Sequence, residues 1–204
     1  MRTGEVFALT WDDIDFKNRK ILVNKTVYSK LKDDSGRWFL GTTKTESSCR
    51  EVYLCDTLYK LLFEYRQQQI LNKKKYGRSY IKYSLFEIKN KYKKVKEYQI
   101  VEGKYKNNIN MVFVKDNGKY CGTDIIKYPF KIIHNELEIK NCRFYDLRRT
   151  YATICLRNGI EIKDLANILG HNRIETTENY YIYTSDKDRI KASKIIEDIY
   201  DLKL

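Results

Sequence analysis

The sequence of 204 residues predicts an α+β domain, mostly helical, with a small three-stranded antiparallel sheet on one edge. Three observations carry that prediction. Residues 21–28, 38–43 and 50–54 are short extended segments rich in β-branched and aromatic side chains, separated by turn-like DDSG and ESS stretches. Leu58, Leu61, Leu62, Tyr65 and Ile70 then recur at helical spacing. Residues 145–169 finally read as two amphipathic helices around Gly159. A chain of this length supports one good-sized core or at most two small ones, so a single domain is expected.

Taken in order, residues 4–10 read as the end of an amphipathic helix that begins before this sequence does, because so short a helix is marginal alone. The three extended segments follow. Asp56 is placed to cap the next helix, which closes on Lys73, Lys74 and Lys75. Residues 77–110 are dense in Lys and Tyr with little periodicity, and read as a basic insertion. Residues 111–114, a turn at Asp116-Asn117-Gly118 and a helix over about 123–138, with the sole proline Pro129, lead to the helix pair. Gly170 can end the helix over 161–169 with a positive φ. A last helix spans roughly 186–200, and no internal repeat is evident.

Lys and Arg outnumber Asp and Glu by 40 to 27, a formal charge of +13. That excess points to a polyanionic partner, with nucleic acid first. An anionic membrane surface is the competitor, but no long apolar run or basic amphipathic anchor accompanies the charge. No apolar segment with a cleavage site marks the chain for secretion, so a cytoplasmic location is expected. The five cysteines are widely spaced without a Cys-x-x-Cys pair, which reads as reduced thiols rather than a zinc site. No metal or organic cofactor is expected.

The order of motifs is more specific than the composition. Arg2-Thr3-Gly4-Glu5 is followed by Leu9-Thr10-Trp11-Asp12-Asp13-Ile14-Asp15, then Thr43-Lys44-Thr45, Asp146-Leu147-Arg148-Arg149-Thr150, Leu169-Gly170-His171, Thr176-Thr177 and a tyrosine pair. This series resembles the catalytic domain of the tyrosine recombinases, or phage integrases, over nearly the whole chain. The resemblance implies that residues 1–204 form a catalytic domain of the tyrosine recombinase fold, with the start of that domain and a separate DNA core-binding domain lying outside the sequence. It also implies site-specific recombination of a mobile element on double-stranded DNA, by a tetramer in the full-length protein.

Each site residue follows from that resemblance together with its chemistry. Breaking and rejoining a phosphodiester without a nucleotide cofactor needs a covalent intermediate, and a tyrosine phenolate supplies one. With 18 tyrosines in the chain, composition cannot choose among them; spacing narrows the choice to Tyr180 and Tyr181, nine and ten residues after His171. Tyr181 is favoured because Tyr181-Ile182-Tyr183 aligns with the family's tyrosine, small residue and histidine; Tyr180 stays open. Arg2 and Arg148 would clamp the non-bridging oxygens, since a guanidinium gives two parallel hydrogen bonds and stays charged. His171 would donate to the phosphate. Lys44, at a hairpin tip, would protonate the departing 5′ oxygen. Tyr145 stands where the family usually has His; a phenol there can hydrogen-bond the nucleophile or a phosphate but is a poor general base at neutral pH. Arg149 replaces a common His, with packing the expected role, and His134 reads as a helix-surface residue. The alternatives are a helix-turn-helix DNA-binding protein built on residues 145–169, or a folded recombinase remnant without activity. A type IB topoisomerase lacks support because nothing here resembles its larger clamp.

Overall fold

The structure is a computed structural model that describes residues 1–29, 37–42, 49–88, 96–139, 142–171, 173–175 and 177. Two antiparallel sheets form its β part. In the smaller, β1 (Ile14–Asp15), β2 (Lys20–Val23) and β5 (Arg50–Tyr53) lie in the order β1-β2-β5. In the larger, β3 (Lys25–Tyr28), β4 (Trp38–Thr42), β6 (Tyr83–Ile88), β7 (Glu97–Glu102) and β8 (Asn108–Ile109) lie in the order β3-β4-β7-β6-β8.

The three-stranded antiparallel sheet is therefore present, but its strands differ from those expected. β2 and β3 are one extended stretch interrupted at Asn24, and the two parts choose different partners: Val23 faces Arg50 on β5, whereas Lys25 faces Thr42 on β4. Burial explains the division. Trp38, Phe39, Leu40 and Gly41 are all buried, so β4 needs cover on both faces and takes an interior place between β3 and β7. β5 buries only Arg50 fully and sits at an edge of the smaller sheet. β4 and β5 thus do not pair as a hairpin, and Lys44, between them in sequence, lies outside the described residues.

Residues 77–110, read from sequence as an aperiodic insertion, supply β6, β7 and β8. They are built into the larger sheet: Ile100 joins its core, Ser84 is fully buried, and buried Glu97 accepts a hydrogen bond from Tyr28 Oη at 2.7 Å.

Helix α1 (Thr3–Phe7) is too short to stand alone and is held by burial. Phe7 and Ala8 enter the core of the larger sheet with Val27, Trp38 and Leu40. The next residues, Leu9 and Trp11, pass into a second core with Ile21, Val23 and Leu62 of α2 (Asp56–Tyr76). Buried Gln69 fastens α2 there, accepting from Trp11 Nε1 at 2.7 Å and donating to the Met111 and Val112 carbonyls. The residue at the N-cap of α2 is Cys55, and Asp56 instead opens the first turn, paired with Arg19.

The helix expected over 123–138 is split. A 3-10 turn, Gly122–Ile126, precedes α3 (Lys127–Asn135), so Pro129 falls in the first turn, where its missing N–H breaks no ladder bond. His134 is half-buried rather than a plain surface residue, its Nε2 lying 2.6 Å from the Cys142 carbonyl. Then come α4 (Phe144–Arg157) and α5 (Ile162–Leu169), packed through Ala152, Cys155, Leu165 and Leu169. Phe144 touches Phe7 with ring centroids 5.7 Å apart, which docks the start of α4 beside α1. No helix among the described residues is long and apolar enough to cross a membrane. The last helix expected over 186–200 lies outside the described residues.

Candidate active site

The site begins with α4. Arg143 at its N-cap is extended, and Asp146 accepts from the Arg143 backbone N–H at 2.9 Å, a capping arrangement that fixes where the helix starts. That phase puts Arg148 on the same face as Ala152 and Cys155, and all three are buried. The Arg148 guanidinium meets the end of α5: Nη2 donates to the Leu169 carbonyl at 2.7 Å and lies 3.0 Å from His171 Nε2. Nη1 is buried and has no hydrogen-bond partner among the described residues.

Helix α5 ends because Gly170 turns left-handed, with φ 70° and ψ 48°. The chain then delivers His171 beside Arg148, and the other ring nitrogen, Nδ1, is 2.8 Å from Oγ1 of fully buried Thr177. An arginine N–H can only donate, so Nε2 accepts from Arg148 and Nδ1 carries the proton toward Thr177. The ring is neutral in this arrangement. Burial, and after it the charges of Arg148, Arg2 and Arg50, pushes the His171 pKa down from 6.5 to about 4.

The third contribution comes from α1. Arg2 precedes the helix, bonding Glu5 through both its backbone N–H (2.7 Å) and Nη1 (2.9 Å), and its Nη2 reaches the Gly170 carbonyl at 3.1 Å. Glu5 is 3% exposed and is held from the other side by Arg50, whose Nη2 lies 2.8 Å away. Arg50 Nε donates to the Ile168 carbonyl at 2.7 Å. Burial alone would raise the Glu5 pKa, but the hydrogen bonds from Arg50 and Arg2 prevail and bring it down to about 2. Burial, then the nearby charge of Arg2, lowers the Arg148 pKa.

Of the residues expected from sequence, Arg2, Arg148 and His171 are brought together. Tyr145 lies on α4 one turn before Arg148, 44% exposed, open to a ligand rather than built into the cluster. Lys44, Tyr180 and Tyr181 lie outside the described residues. Glu5, Arg50 and Thr177 were not singled out as site residues, although Glu5 and Thr177 stand inside the quoted motifs. Arg50 carried no signal of its own: it is the buried position of a four-residue strand whose next charge, Glu51, is exposed, a difference that sequence does not display. Among the described residues no group of three or more His, Cys, Asp or Glu side chains could hold a metal ion. Cations, one buried carboxylate and a spare buried donor make a cradle for an anion with more than one acceptor oxygen.

Comparison with known proteins places this chain in a family. The chain is 26% identical to a XerC-like tyrosine recombinase of Caldanaerobacter subterraneus, across 98% of its own length and 46% of that protein's. It is 28% identical to the transposase of transposon Tn916 from Enterococcus faecalis, across 91% of its length and 40% of the relative's. The chain thus spans less than half the length of these curated relatives. The integrase of transposon Tn1549, solved in complex with a circular intermediate DNA, superposes with a TM-score of 0.66 at 19% identity, over 96% of this chain and 54% of that one. At that identity the likeness establishes a shared fold, that of the tyrosine recombinase catalytic domain. Residues 1–187 match the profile of the phage integrase family, and the chain belongs to that family.

Proposed function

We propose that this chain is the catalytic domain of a tyrosine-type site-specific recombinase that cuts and rejoins double-stranded DNA to integrate or excise a mobile element. The observation that carries the reading is the buried Arg148 guanidinium, anchored through Nη2 while Nη1 has no partner among the described residues. An unsatisfied buried donor is costly in the absence of a ligand, and a phosphate oxygen repays it. Arg148 and Arg2 hold the non-bridging oxygens and offset the charge that builds on phosphorus in the transition state. The Tyr181 oxygen attacks phosphorus as its phenol proton passes to solvent water, the bond to the 5′ oxygen breaks, and Lys44 protonates that oxygen. The product is a 3′-phosphotyrosine, which an incoming 5′ hydroxyl resolves by the reverse step. Tyr145 hydrogen-bonds the phosphate or the nucleophile.

His171 donates to the phosphate only after a change of state. Its Nε2 accepts from Arg148; an arriving anion favours the protonated ring, so that Nε2–H can turn to a phosphate oxygen. The full-length protein assembles as a tetramer on DNA and acts in the cytoplasm. A helix-turn-helix factor has less support: α4 and α5 form a helical pair, but Leu165, Ala166 and Leu169 of α5 are buried and its last carbonyls are occupied by arginines.

The test is trapping on a nicked suicide substrate. A denaturant-resistant adduct is expected with wild type and with Tyr180→Phe, and none with Tyr181→Phe. An adduct on Tyr180 overturns the alignment, and an adduct on neither overturns the recombinase reading. Lys44→Ala should recover on DNA whose bridging 5′ oxygen is sulfur, because a thiolate leaves without protonation; Arg148→Ala should not.

A further inference from the structure

Three successive carbonyls at the end of α5 each receive a different arginine: Ile168 from Arg50 at 2.7 Å, Leu169 from Arg148 at 2.7 Å and Gly170 from Arg2 at 3.1 Å. The donors come from β5, α4 and the residue before α1, elements far apart in sequence. The last carbonyls of a helix lack partners within it and carry the negative end of its dipole, so they attract cations. Glu5 adds a full negative charge between Arg2 and Arg50. Without these acceptors, like charges packed this closely would repel and the side chains would separate.

We infer that Arg50 is a positioning residue of this site, and that the C-terminus of α5, together with Glu5, is the mount that holds Arg50, Arg2 and Arg148 in fixed order around the phosphate. Arg50 itself does not reach the substrate. Both ends of its guanidinium are engaged, by Glu5 on one side and the Ile168 carbonyl on the other, whereas Arg148 keeps a donor without a partner among the described residues. Gly170 packs directly on it: a Cβ at that position would lie 2.8 Å from Arg50 Nη1. Arg50 therefore sets both the carboxylate that orients Arg2 and the turn that presents His171. It also begins the strand that follows the Lys44 segment, six residues after Lys44 itself.

The test uses Arg50→Lys and Arg50→Gln with two readouts, of which only the adduct rate rests on the recombinase reading. The first is the ring titration of the two histidines by NMR. His171 faces Arg148 on α4, Arg2 and Glu5 at α1, Arg50 on β5 and the Thr177 hydroxyl. Arg50→Gln removes one of the cations that hold it neutral, so its midpoint should rise measurably. An unmoved His171 overturns the inference. Should Arg50→Gln unfold, its far-UV circular dichroism is lost and Arg50→Lys decides. That variant keeps the charge but cannot serve the fork to Glu5 and the Ile168 carbonyl together. Its adduct rate should fall about tenfold with DNA affinity unchanged, a split that general loss of structure does not give. A rate within twofold of wild type overturns the positioning role. If wild type forms no adduct, the recombinase reading fails by itself, and the His171 titration still decides the place of Arg50.

Discussion

The two arginines assigned to the phosphate sit in opposite surroundings on the two sides of the site. Arg148, on the α4–α5 side, is 5% exposed, has no carboxylate among its hydrogen-bond partners and keeps a buried donor without a partner among the described residues. Arg2, on the α1 side, has a side chain 42% exposed and is salt-bridged to Glu5. Fold stability and affinity for an anion are therefore at odds at Arg148 and aligned at Arg2. A buried guanidinium with no hydrogen-bonded carboxylate and one partnerless donor costs the fold, and a ligand that takes up the donor repays that cost. A half-exposed one that satisfies a buried carboxylate supports the fold whether or not ligand is present.

The largest effect expected from this contrast is at Arg148. Arg148→Met should slow adduct formation by about 100- to 1000-fold, the usual loss on removing a donor aimed at developing charge. The melting temperature should fall less than in Arg2→Met: the Leu169 carbonyl loses its donor, but an apolar side chain of similar length also removes a buried N–H that has no partner among the described residues. Arg2→Met should slow the reaction and also lower the melting temperature, since Glu5 loses a partner and the Gly170 carbonyl loses its donor. Parallel trapping and thermal melts would check both; a large loss of stability in Arg148→Met would erase the distinction.

The same two sides should separate in acid. An unfolded histidine takes up its proton near 6.5 and His171 resists until about 4, so between those values the unfolded state binds more protons and stability falls as pH drops. Glu5 acts in a lower window. Its pKa is depressed from 4.5 to about 2, so its contribution is complete above 4.5 and is lost as pH falls through 2. Urea midpoints measured against pH should decline in both windows. His171→Gln should flatten the upper limb and Glu5→Gln the lower; an unchanged upper limb in His171→Gln would remove the buried neutral ring from the account.

These pairings also explain what the sequence revealed. The helix pair and the Gly170 stop are local: a cap, an apolar period and a glycine with positive φ are visible within a few residues. The division of residues 20–28 between two sheets was hidden, because it depends on β4 being buried on both faces and on β7, nearly sixty residues later, reaching it. β6 and β7 were obscured by composition: in YSLFEI and EYQIVE both Glu97 and Ser84 are buried and Phe86 is exposed, so polarity does not alternate as the burial does. Arg50 was not singled out from sequence because its partners, Glu5 and the Ile168 carbonyl, are 45 and 118 residues away.

A smaller effect is expected at Gly170. Alanine there must adopt φ 70°, at about 1–2 kcal/mol, and its Cβ would press on Arg50. Gly170→Ala should therefore lower stability modestly while slowing adduct formation more than that loss explains. Gly159→Ala is the control, with φ 87° but open space around its Cβ, so it should bear the backbone strain without the catalytic loss.

The smallest effect lies away from the site, beside α2, β6 and β8. A cavity of about 250 Å³ is lined there by Lys73, Lys82 and Lys104, and every charged residue lining it is a lysine. If DNA passes this face, each lysine that contacts a phosphate releases a counterion and adds about 0.9 to the slope of log affinity against log salt. The three should not contribute alike. Lys73 is half-buried, bonded to Asn110 at 3.3 Å and set over the Tyr80 ring, and burial, then Lys82, lowers its pKa. Lys82 and Lys104 are exposed. Lys82→Ala and Lys104→Ala should each flatten the salt slope by nearly one unit, on the scale of a single phosphate contact, and Lys73→Ala by clearly less. Filter-binding titrations across a salt series would measure it, with point variants preferred to deleting residues 77–110, which would remove β6 and β7 from the larger sheet. Equal slopes in wild type and all three variants would place this face away from DNA and leave the arginine cradle as the dominant polyanion contact.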